Sequence, residues 1–144
     1  MDELVRWLGE QLDEDERIAR AVRVPHDWHQ GPGDDDPEWV GDEMVLMWPP
    51  EFHTPYEQDK HWRGLTVEGS ELAAHIARHD PARVLRENDA KRAVVERYER
   101  AMENSRAHPD DLASAGALLA LHGVVKLIAL PYADRPGFRD EWRP

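Results

Sequence analysis

The sequence predicts a mainly α protein, a small domain of about four helices with a minor two-stranded β-ribbon. Three observations carry that prediction. Leu4, Leu8 and Leu12 recur every four residues near the N-terminus, the spacing of one helix face. Residues 70–130 hold three further apolar-periodic stretches, divided by Asp80-Pro81 and by Asn104–Pro109. Between these regions, residues 24–59 carry ten acids and no Lys or Arg, with proline and glycine throughout 25–42. At 144 residues the chain is read as a single domain, 1–144, with 25–61 as an acidic, loop-rich insert.

The first helix is predicted over 2–22, with Val5, Ile18 and Val22 extending the leucine face. Asp2 and Glu3 stand at the positive end of its dipole, and Arg17, Arg20 and Arg23 at the negative end. Asp13–Arg17 and Glu16–Arg20 have the spacing of helical ion pairs. Pro25 ends the element. Residues 25–42 read as turn and loop. Residues 43–48 (EMVLMW) are a strand candidate stopped by Pro49-Pro50, and 62–67 (WRGLTV) its partner.

Ser70 is predicted to cap a helix over 71–79 that presents Leu72, Ala73, Ile76 and Ala77. Asp80 then serves as N-cap and Pro81 as first residue of a helix to about Ser105. Val84, Leu85, Val94, Val95, Tyr98 and Met102 face inward, with Asn88 and Lys91 near that stripe. Asp110 or Asp111 caps a last helix to about Leu130. Its apolar run, 113–130, is interrupted by Ser114, His122 and Lys126, which favours a central, buried helix over a membrane span. Tyr132, Phe138 and Trp142 in the C-terminal tail suggest that the tail docks on the body.

The formal net charge is −12 and is concentrated: −3 over 1–23, −10 over 24–59 and +1 over 60–144. Such a field repels nucleic acid and anionic membranes and attracts basic protein surfaces. The absence of cysteine removes disulfides and thiolate chemistry and suits a reducing cytoplasm. The N-terminus has acids where a secretory signal would be basic. The sequence has no phosphate-binding glycine loop, nucleophile elbow or dinucleotide turn, so no reaction is named by motif.

Two candidate sites emerge. Asp34, Asp35, Asp36, Glu38 and Glu43, with Trp39 and Trp48 as aromatic anchors, have a composition suited to gripping a basic protein partner. The alternative for the same residues is docking on this chain's own Arg83, Arg86, Arg97 or Arg106. A calcium loop is not spelled by GPGDDDPEW, which lacks alternating ligands. The second candidate is His75 and His79, four apart on one helix, the spacing at which two imidazoles share zinc. Asp80 is adjacent, and His61, His108 or His122 would have to supply a further ligand. The pair lacks the glutamate of a zinc-protease helix. His122 and Lys126, also four apart, read as structural, with the lysine stem snorkelling to the helix end.

Residues 1–21, 73–92 (AAHIARHDPARVLRENDAKR) and 127–144 (LIALPYADRPGFRDEWRP) resemble an uncharacterised family of small proteins from Streptomyces, related actinobacteria and their phages. The resemblance implies an actinobacterial or phage origin and brings no catalytic residues. Many members carry a cysteine pair before the block equivalent to 127–132, and this chain does not.

The leading expectation is therefore a non-enzymatic interaction or regulatory protein that binds a basic surface through its acidic segment. A narrower version has the acids imitate DNA phosphates, as a counter-defence protein would. The alternatives are a metal-binding helical protein or hydrolase using His75 and His79, and a structural homo-oligomer joined by exposed aromatics.

Overall fold

The computed structural model describes residues 2–22, 28–31, 42–47, 64–68 and 70–144, the strands by backbone alone. The protein is mainly helical. Its elements are α1 (Glu3–Ala21), β1 (Trp28–Gly31), β2 (Asp42–Met47), β3 (Gly64–Glu68), α2 (Ser70–Arg78), α3 (Pro81–Ala107) and α4 (Leu112–Ala129). Short 3-10 turns follow at Leu130–Tyr132 and Asp140–Trp142. The chain divides into two compact units, one of residues 1–16 and 87–144, the other of 17–86.

The first unit is built around α1. Asp2 accepts a hydrogen bond from the Leu4 amide (2.9 Å) and so caps the helix. Leu4, Val5, Leu8 and Leu12 are buried, as the four-residue repeat requires. Trp7 is buried with them, although the leucine spacing does not single it out. Tyr98 of α3, Val125 and Ala129 of α4, Tyr132 and Trp142 complete this core. The tail is docked. Trp7 packs edge-on against Phe138 (5.5 Å) and tilted on Trp142 (5.3 Å). Its indole donates to the Pro136 carbonyl (3.0 Å). That approach needs Gly137, whose φ is +87° and whose Cβ, if present, would lie 3.0 Å from Trp7 Nε1.

Polar bonds between distant segments fasten the same unit. Arg92 of α3 holds Asp13 (2.7 Å) and Glu16 (3.1 Å) of α1. Arg135 holds Asp15 (2.7 Å) and lies over the Tyr132 ring. Lys91 donates to the Tyr132 hydroxyl (2.8 Å). The buried Asn88 donates to the Leu12 carbonyl (3.0 Å), and its Oδ1 has no partner among the described residues.

In the second unit β1, β2 and β3 form an antiparallel sheet in that order. Gly31 stands opposite Met44 and Trp28 opposite Met47, while Asp42 faces Glu68 and Leu46 faces Gly64. Residues 28–31, read from sequence as loop, pair as an edge strand because β2 supplies the ladder. Helix α2 lies against the sheet. Ala73 and Ala77 are buried there with Ile76 against them, the small side chains allowing close approach. Leu72, expected on this face, is 47% exposed, as is Ile18 of α1 at 52%. Each therefore contributes little to the packed stripe of its helix.

Helix α4 departs most from expectation. Asp111 caps it, accepting from the amides of Ala113 and Ser114, and the Ser114 hydroxyl, donating to the same carboxylate, lowers its pKa. But α4 is not central. Only Ser114, Val125 and Ala129 of it are buried. Its core contacts come from one stripe, Ser114, Leu118, Leu121, Val125 and Ile128, which α1, α3 and the tail suffice to cover. The other side is apolar and open.

Candidate functional site

Of the acidic candidates, Asp34, Asp35, Asp36, Glu38, Trp39 and Trp48 lie outside the described residues. Glu43 is on β2, opposite Val67.

His75 and His79 both lie among the described residues. The rings of His75 and His79 lie 4.3 Å apart at 35° on the exposed end of α2. His79 Nδ1 is 2.7 Å from the His75 carbonyl, which commits that nitrogen to the backbone of its own turn. Asp80 is buried and accepts from the Arg83 amide (2.6 Å), so it works as the N-cap of α3. His108 Nδ1 faces the Asn104 carbonyl (3.2 Å), and His122 stacks on Tyr98 (5.7 Å). His61 lies outside the described residues. Among the described residues no three His, Asp or Glu side chains gather to hold a metal ion. The pair therefore offers two ligands where a structural or catalytic zinc takes three or four from the protein.

Lys126 is accounted for. Its ammonium donates to the carbonyls of Glu141 (2.9 Å) and Arg143 (3.1 Å), tying α4 to the tail. Tyr98 donates to Asp2 (2.7 Å), and burial, then that carboxylate, pushes its hydroxyl up to about 12. Burial raises Tyr132 as well. Both tyrosine hydroxyls remain protonated at neutral pH and serve as bolts.

The feature that sequence reasoning misjudged is the outer face of α4. Leu112 is 87% exposed, Leu119 73%, Leu127 57%, Val124 40% and Leu130 37%. Gly116 and Gly123 stand among them with nothing within 4 Å of a Cβ built on either. By length and composition Leu112–Tyr132 could cross a membrane, yet its inner stripe is committed to protein core. A continuous apolar surface of this kind is a candidate contact surface. The signal was present in the sequence as a helix apolar on every side, a pattern usually produced by burial on every side.

The chain belongs to a family of unknown function (DUF6221), whose model matches residues 1–144. No curated protein and no solved structure matches it.

Proposed function

We propose that this member of the family is a non-enzymatic interaction protein that binds a basic protein surface through its acidic segment, residues 27–57. The observation that carries the reading is ten acids and no Lys or Arg over residues 24–59. In this reading Asp34, Asp35, Asp36, Glu38 and Glu43 supply the charge, and Trp39 and Trp48 the aromatic anchors.

The partner is a cationic protein rather than nucleic acid or membrane, met in a reducing cytoplasm of actinobacterial or phage origin. Its attraction is between opposite charges and weakens with salt. The test is affinity capture from host lysate at about 50 mM and about 500 mM salt, beside an Asp34→Asn/Asp35→Asn/Asp36→Asn variant. A basic protein retained by wild type at low salt and lost in the variant is the expected result. Equal retention by both proteins at both salts refutes it.

A further inference from the structure

We infer that the outer face of α4 is the interface of a symmetric dimer in which two copies of the helix pack antiparallel. The argument begins with the angular order of the residues. At about 100° per residue, Leu112, Gly116, Leu119, Gly123, Leu127 and Leu130 fall within an arc of about 80°, directly opposite the stripe that faces the core. Large and small residues alternate along this arc from Leu112 to Leu127. If the helix meets its own copy antiparallel about a two-fold axis near residue 121, Leu119 faces Gly123 of the second copy and Leu127 faces Gly116. Each leucine then enters the space left by a glycine, the interdigitation that well-packed interfaces require. Both glycines have that space free, since nothing lies within 4 Å of a Cβ built on either. One patch thus complements itself, which is the condition for a two-fold interface.

Area and charge favour the same occupant. The five exposed large residues leave about three whole apolar side chains uncovered per copy, a patch at the small end of specific interfaces. The face carries no charge, because Lys126, the one charged residue of α4, is turned into the tail carbonyls. A membrane surface fits less well. Interfacial helices present Lys and Arg beside their apolar face, whereas α4 is flanked by Asp110 and Asp111 at one end and Asp134 at the other. The two copies carry −12 each, so screening by salt strengthens this contact. That is the opposite of the salt response of the acidic segment, so the two readings fail separately.

The test is sedimentation equilibrium on the full chain. Wild-type mass should rise with concentration from 16.6 kDa toward twice that, with a dissociation constant on the order of 10–100 µM for so small a face, and the rise should sharpen in high salt. Leu119→Arg, at a site already exposed, should keep its helical spectrum and weaken the dimer at least about ten-fold. Because the chain has no cysteine, orientation is read directly. A mixture of Leu119→Cys and Gly123→Cys chains should oxidise mainly to the mixed disulfide. Wild type that stays monomeric to about 1 mM overturns the inference. So does a Leu119→Arg protein that dimerises equally well, or preferential 119–119 cross-linking. Binding of monomeric wild type, but not Leu119→Arg, to neutral phosphatidylcholine vesicles would assign the face to lipid and overturn it too.

Discussion

Replacing Gly137 with alanine is the sharpest probe of how the C-terminal tail is held. Its φ of +87° lies in the left-handed region, and its missing Cβ would sit 3.0 Å from Trp7 Nε1 and 3.2 Å from Trp7 Cδ1. The backbone conformation alone costs a residue with a Cβ about 1–2 kcal/mol. The indole cannot yield freely, because Trp7 is buried between Phe138 and Trp142. Moving it also strains its hydrogen bond to Pro136, worth about 1 kcal/mol. Together these place Gly137→Ala about 2–4 kcal/mol below wild type, a fall in Tm of roughly 5–15 °C for a chain this size. Gly9→Ala, in the interior of α1 with nothing within 4 Å of its Cβ, should instead gain about 0.5–1 kcal/mol. Thermal unfolding by circular dichroism, with tryptophan fluorescence on the same samples, reads both. Gly137→Ala within about 0.5 kcal/mol of wild type would mean that the tail is not anchored on Trp7.

Asn88→Ala removes the second donor to the Leu12 carbonyl, which its own helix also pairs, and should lower stability by about 0.5–1.5 kcal/mol in urea unfolding. Alkaline unfolding should track Tyr98, whose folded pKa of about 12 stands above its ordinary value of 10.0. That contribution is fully present below about pH 10 and is lost as pH rises toward about 12, at up to about 1.4 kcal/mol per pH unit. Tyr98→Phe should flatten this limb, leaving the part due to Tyr132. Asp111 has the opposite sign. Its depressed pKa gives stability that is present above the ordinary carboxylate value and lost as pH falls through the lowered one. Asp111→Asn should therefore remove part of the acid-limb dependence while keeping a side chain able to cap α4.

What could be read from the sequence was what local chemistry decides. Leu4, Leu8 and Leu12 placed α1 and its buried face, Asp80-Pro81 placed the start of α3, and Asp111 the start of α4. Non-local partners decided the rest. Arg135 reaches Asp15 and Lys91 reaches Tyr132 across 120 and 41 residues of chain, and no spacing rule announces such pairs. Strand β1 needed β2 to make an extended edge of Trp28–Gly31. The misjudged burial of α4 has a compositional cause. Its apolar residues occupy the whole circumference, while only the stripe through Leu118, Leu121 and Val125 meets α1, α3 and the tail. The histidine spacing was visible, but the use of His79 Nδ1 by its own helix was not. The acidic candidates were legible as composition, and of them Glu43, on β2 opposite Val67, lies among the described residues.

The most direct measurement is a salt titration of partner binding, comparing wild type with the Asp34→Asn/Asp35→Asn/Asp36→Asn protein. Wild-type affinity should fall steadily as salt rises, and the variant, lacking three of the segment's ten acids, should bind more weakly at low salt and respond less steeply. Superimposable curves, or wild-type binding that holds or tightens with salt, would contradict recognition through the acidic segment.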